Sequence, residues 1–186
     1  MQQLSGTNAI VTEVGQIVSA YAPDLALYAP VIINVVQLIA TSFAVFALTK
    51  WGRRPLILIG NFSLGIIDLL IGILFIFSDW TPAIDIVMIL ITLFMISYGI
   101  TIGPVVWLYV PEIIPAKIVP VATFMNWFGC SICVIITPII IDVVGSPYPV
   151  FFIFGGVSMI FLVFNWMWLV ETKGLTVSEI NAKFKK

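Results

Sequence analysis

The chain contains no histidine and only two cysteines, Cys130 and Cys133. Without histidine, imidazole acid–base catalysis and histidine-ligated metal sites are excluded. The cysteines form a C-x-x-C, but inside an apolar run between Gly129 and Val134. A redox role would need solvent access there, and zinc would need two further ligands, so the pair reads as small packing residues. Charge is also scarce, at 9% of residues, and no polar stretch is long enough for a soluble domain. Residues 1–20 do not read as a secretory leader. They lack a basic start, and polar side chains interrupt their apolar stretch. Neither internal repeats nor low-complexity tracts are evident. No enzyme chemistry, metal, cofactor or nucleic-acid partner is expected.

What is present is hydrocarbon. Hydrophobic residues make up 61% of the chain, and the mean hydropathy is +1.18, outside the range of soluble domains. A membrane-spanning helix needs about 20 apolar residues. Residues 29–48, 56–77, 84–110, 121–141 and 149–170 qualify, with a weaker candidate at 1–20. The expected architecture is all-α and polytopic: a transmembrane half-bundle over 1–170 and a cytoplasmic tail over 171–186.

All eight basic residues fall on alternate connectors: Lys50, Arg53 and Arg54, then Lys117, then Lys173, Lys183, Lys185 and Lys186. The other connectors, near Asp24, Asp79 and Asp142, carry acids and no Lys or Arg. By the positive-inside rule, connectors 49–55 and 111–120 and the tail lie in the cytoplasm. Connectors 21–28, 78–83 and 142–148 lie outside.

Polar residues inside the apolar runs are the candidate functional groups. On a wheel for one continuous helix, Gln2, Ser5, Asn8, Thr12, Glu13 and Gln16 share an arc about 140° wide, with Gln3 outside it. Such a stripe faces other helices or water, not lipid. It serves equally well as ligand lining or as polar glue between helices. Amides suit a hydroxyl-rich ligand because each can donate and accept. Gly99, Gly103 and Pro104 interrupt the fourth run, as happens beside a cavity or packed neighbours. Trp107 and Asn126-Trp127 follow; a ring beside amides can hold a sugar, and equally the tryptophans can form an interfacial belt. Asp68 is an ionisable group deep in a span, either functional or a helix-packing acid.

These residues resemble a known family. Gln2-Gln3-Leu4-Ser5-Gly6-Thr7-Asn8-Ala9 resembles the seventh-helix signature of the sugar porters, the hexose-transporter branch of the major facilitator superfamily. Gly52-Arg53-Arg54-Pro55 resembles the loop between helices eight and nine. Gly103-Pro104-Val105-Val106-Trp107 and Pro111-Glu112-Ile113-Ile114-Pro115-Ala116-Lys117 resemble helix ten and the loop after it. Asn126-Trp127 matches helix eleven, and Glu171-Thr172-Lys173-Gly174 matches the P-E-T-K-G ending.

The resemblance implies the C-terminal half, helices seven to twelve, of a bundle of two six-helix halves that rock about a midplane sugar site. It implies a monosaccharide substrate, a lipid bilayer (most simply the plasma membrane) and an N-terminal six-helix half as partner. Gln2, Gln3 and Asn8 would hydrogen-bond the sugar, with Trp107, Asn126 and Gln37 beside them. Arg53, Arg54, Glu112, Lys117 and Glu171 would form a cytoplasmic charge network. Some positions depart from the pattern. Thr12 and Glu13 replace the paired gate tyrosines, Thr49 an acid, Val119 a basic residue and Val170 the proline of P-E-T-K-G. The seventh-helix motif also starts at residue 2, earlier in its helix than the family places it. The expectation is therefore a first helix short of its cytoplasmic end, in a truncated chain inactive alone. The alternative is a non-transporting accessory subunit of a membrane complex.

Overall fold

A computed structural model of the chain describes residues 1–19, 27–77 and 82–184. Asp24, Asp79, Lys185 and Lys186 lie outside the described residues. A short 3₁₀ turn, Gln3–Ser5, leads into α1 (Thr7–Ser19). Then follow α2 (Ala29–Trp51), α3 (Arg53–Ile76), α4 (Pro82–Ile100), α5 (Ile102–Ile113), α6 (Val119–Val144), α7 (Tyr148–Trp168) and α8 (Val177–Phe184). Among the described residues, Ala29–Trp51, Arg53–Ile76, Asp85–Ile113, Val119–Val144 and Tyr148–Trp168 are long and apolar enough to cross a membrane. Their outward faces carry exposed Ile, Leu, Val and Phe, for example Leu38, Phe43 and Phe46 on α2. In water such faces would aggregate; in a bilayer they are solvated by lipid.

Local chemistry sets the helix ends. Pro30, Pro120 and Pro149 sit in the first turns of α2, α6 and α7, where a missing N–H costs nothing. Gly145, with φ +73°, ends α6 and returns its N–H to Ile141. Gly52, with φ +92°, lets α3 begin directly after α2, so the expected connector 49–55 is almost wholly helical.

The expected span 84–110 is two helices. Pro104 has no N–H, and its ring crowds the carbonyl four residues back, so the helix breaks at Thr101 (φ −112°, ψ −102°). The helix also runs on to Ile113, which puts Glu112 on a helix end rather than in a loop.

The continuous first helix is corrected too. The chain turns at Gly6 (φ +81°), and α1 has only 13 residues. The shared arc drawn from Gln2 to Gln16 therefore does not exist as such, because residues before and after Gly6 follow different axes.

The core is organised around α3, whose most extensive partner is α7, with α4 also packed against it. Along the α3–α7 seam, a Cβ placed on Gly155 would stand 3.1 Å from the Gly65 carbonyl, so small residues let the backbones approach. Buried apolar side chains such as Ile33, Leu64, Ile71, Ile91, Phe94 and Met95 fill the space between α2, α3 and α4. By contrast α6 is largely exposed, and few of its residues are buried.

Candidate functional site

The turn at Gly6 builds the site. It folds the 3₁₀ segment back so that Gln2 and Gln3 face α5 and α6, while Asn8 begins α1. The Phe154 ring fills the space beside Gly6, where an added Cβ would lie 2.3 Å from Cδ2. Ser5 donates to the Gln2 carbonyl at 2.7 Å and lies 3.2 Å from the Thr7 hydroxyl, which fixes the turn internally.

Four amides then form a directional relay. Gln2 Nε2 donates to the Gly103 carbonyl at 2.8 Å. Asn126 Nδ2 donates to Gln2 Oε1 at 2.8 Å, and Gln3 Nε2 donates to Asn126 Oδ1 at 2.6 Å. Asn8 Nδ2 donates to Gln3 Oε1 and, at 3.1 Å, to the Cys130 sulfur. A backbone carbonyl can only accept, so Gly103 fixes the orientation of Gln2, and Gln2 fixes each amide after it. The relay uses both N–H groups of Asn8 and leaves its Oδ1 open as an acceptor. It also leaves one N–H each on Gln3 and Asn126. No charged side chain takes part. A neutral ligand with hydroxyls that both donate and accept matches this set.

Gln2 and Gln3 are buried and Asn126 half-buried. Trp107 and Asn126 line one cleft between α5 and α6. Trp107 and Trp127 are exposed on the bundle surface. Gln37, half-buried on α2, makes no hydrogen bond to the relay among the described residues; its carbonyl instead lies where α4 approaches at Gly99. Thr12 is exposed and bonds the Asn8 and Ala9 carbonyls of its own helix. Glu13 is buried beside Thr137 and Phe154, a turn and more from the amides. Sequence reasoning placed Gln3 outside the polar arc because it assumed one straight helix. It also missed Cys130, although Cys130 stands one helical turn from Asn126 and so shares its face.

A second cluster lies at the end where the basic residues gather. Arg53 Nε lies 3.2 Å from both Glu112 oxygens, and Nη2 reaches Oε1 at 2.6 Å. The Thr172 hydroxyl donates to Glu112 Oε2 at 2.6 Å. Glu171 Oε1 accepts the backbone N–H groups of Arg53, Thr172 and Lys173 at 3.0, 3.0 and 2.8 Å. Its Oε2 accepts that of Arg54 at 2.9 Å. Lys173 Nζ donates to the Thr49 and Lys50 carbonyls, at 2.6 and 3.1 Å. An anion therefore caps the start of α3 and a cation the end of α2, each at the favourable pole of a helix dipole. Burial by itself would raise the Glu171 carboxyl, but the N–H donors of Lys173, Arg53, Arg54 and Thr172 outweigh it and hold it below the ordinary value.

The expected network is only partly assembled. The Arg54 guanidinium reaches the Trp166 carbonyl at 2.9 Å rather than an acid. Lys117 is exposed and makes no salt bridge among the described residues. Thr172 and Tyr109, which bonds both the N–H and the carbonyl of Val170, were not anticipated.

The family profile described as "Sugar (and other) transporter" matches residues 1–184. The chain is 33% identical over 191 residues to the solute carrier family 2, facilitated glucose transporter member 2, of Sus scrofa, covering 100% of this chain and 36% of that protein. It is 28% identical to the major myo-inositol transporter IolT of Bacillus subtilis, covering 100% of this chain and 40% of that one. Among solved structures, the proton:xylose symporter XylE bound to 6-bromo-6-deoxy-D-glucose superposes with a TM-score of 0.85 at 23% identity, over 98% of this chain and 40% of XylE. The inward-open XylE from E. coli gives a TM-score of 0.67 at 22% identity. The chain thus spans about two fifths of the length of the curated relatives it matches. A profile match over nearly the whole chain, with the fold and signature residues in place, assigns it to the sugar porter family of the major facilitator superfamily, as an integral, multi-pass membrane protein.

Proposed function

We propose that this chain forms the C-terminal half of a transporter that moves a monosaccharide across a membrane by alternating access. The observation that carries this reading is the amide relay anchored on the Gly103 carbonyl. It presents one open carbonyl and two N–H donors, one each on Gln3 and Asn126, beside Trp107, with no charge among them. A hexose offers hydroxyls that answer both kinds of group and an apolar face for the ring. Names of relatives that transport glucose, myo-inositol and xylose support the same substrate class.

An N-terminal six-helix half, on the same or a separate chain, completes the site on the open side of the relay. The Arg53–Glu112–Glu171 cluster latches the face of the bundle that carries the basic residues, and that face is cytoplasmic by the positive-inside rule. The plasma membrane is the expected location.

Binding measurements test the site. With the N-terminal half present, Gln2→Ala or Asn8→Ala is expected to weaken monosaccharide binding by about 1–3 kcal/mol, because each leaves a buried partner unpaired. That is roughly 5- to 150-fold in Kd by equilibrium titration. Unchanged affinity in both variants would assign the amides to helix packing alone.

A further inference from the structure

Asp68 stands apart from both clusters. It lies on the buried face of α3, three residues past Gly65, and is 0% exposed. Neither carboxyl oxygen has a hydrogen-bond donor among the described residues. On α7, which packs along the same face, Ser158 is 1% exposed and its hydroxyl also lacks a partner.

Among the described residues, no charge compensates Asp68. The elements packed against α3 are α2, α4, α5, α7 and the 3₁₀ turn. Their charged or titratable groups are Lys50 on α2, Asp85 and Tyr98 on α4, Tyr109 and Glu112 on α5, Tyr148 on α7, and the Met1 amino group before the turn. None of them bonds Asp68. Every lysine and arginine sits on a connector, a helix end or the tail. Arg54 on the same helix is about 20 Å away along the axis.

A carboxylate needs donors, and among the described residues none bonds it, the Ser158 hydroxyl on α7 included. Besides that hydroxyl, the seam presents carbonyls such as those of Gly65 and Gly155, which face the partner helix. A carboxylic acid carries no charge and brings its own O–H, so burying it there costs far less than burying a carboxylate.

We propose that Asp68 is a proton-binding site: its carboxyl group holds a proton while the α3–α7 seam is closed. The proton is taken from water and returns to it when the seam opens and hydration can support the charge. Proton occupancy and closure of the seam are therefore linked, within the half of the bundle that carries the amide relay. This inference does not depend on the identity of the transported solute.

Infrared spectroscopy of the chain in lipid vesicles tests it. At neutral pH a carboxylic-acid carbonyl band is expected that shifts in D₂O and is lost in Asp68→Asn, while Asp142→Asn retains it. A spectrum without that difference overturns the proposal. Should Asp68→Asn fail to assemble, aspartate-specific ¹³C labelling of the unsubstituted protein must shift the acid band, and an acid band that ignores the label overturns it equally. Raising the pH should abolish the band together with hydrogen-exchange protection along α3 and α7. Loss of the band with protection unchanged would refute the link to closure.

Discussion

Gly6→Ala is expected to destabilise the protein by about 2–5 kcal/mol and to abolish the monosaccharide binding proposed for the amide relay. One part of the cost, about 1–2 kcal/mol, comes from placing a Cβ on a residue held at left-handed φ. The other, about 1–3 kcal/mol, is overpacking, since that Cβ would overlap the Phe154 ring. Thermal unfolding in detergent reads the sum. Gly145→Ala provides the internal comparison: its φ is +73°, but nothing lies within 4 Å of its added Cβ. It should therefore lose only the backbone part. Equal losses at the two sites would remove the steric argument. Binding suffers beyond stability because Gly6 sets the angle between Gln2-Gln3 and Asn8, and the relay spans that angle.

Glu171→Ala carries the second large effect, about 2 kcal/mol after allowance for partial solvent exposure. One carboxylate satisfies the N–H groups of Arg53, Arg54, Thr172 and Lys173, so its removal frees the start of α3 and the tail together. Hydrogen exchange should show lost protection at these amides and in α8, whose Ile180 is buried. The pH dependence follows from the lowered carboxyl. A group held below its ordinary value contributes fully above that value and loses its contribution as pH falls through the lowered one. The unsubstituted protein should therefore lose this increment only on the acid side of the ordinary carboxylate range. Glu171→Gln should flatten the profile there. An unaltered acid limb in Glu171→Gln would place the titrating group elsewhere.

Much of the local architecture was legible because it depends on local chemistry. Apolar runs of membrane length gave the spans, and Gly103-Pro104 marked the break that forms at Thr101. Gln2 and Asn8 were recognisable as candidate site or packing residues from their chemistry, and Gln3 only from the resemblance of the first motif to the family signature. Their partners were not, because the bonds join Gln2 to Gly103, Gln3 to Asn126 and Asn8 to Cys130, across more than 100 positions. Helical periodicity carries no information over such separations. The same limit explains Lys117 and Arg54. Their charge suggested membership of a network, but a long side chain pairs with whatever the packed helix ends place within reach.

By itself the sequence determined the environment and the elements. Its hydropathy requires a bilayer, its basic residues mark one face, and its glycines and prolines mark where helices turn. Tertiary structure decided the direction of the amide relay, because only contact with the Gly103 carbonyl makes Gln2 a donor. It also decided which arginine pairs with Glu112 and left Asp68 without a donor. Helix formation is settled by neighbours within a turn, whereas the hydrogen-bonding state of a buried polar group depends on which distant backbone lies against it.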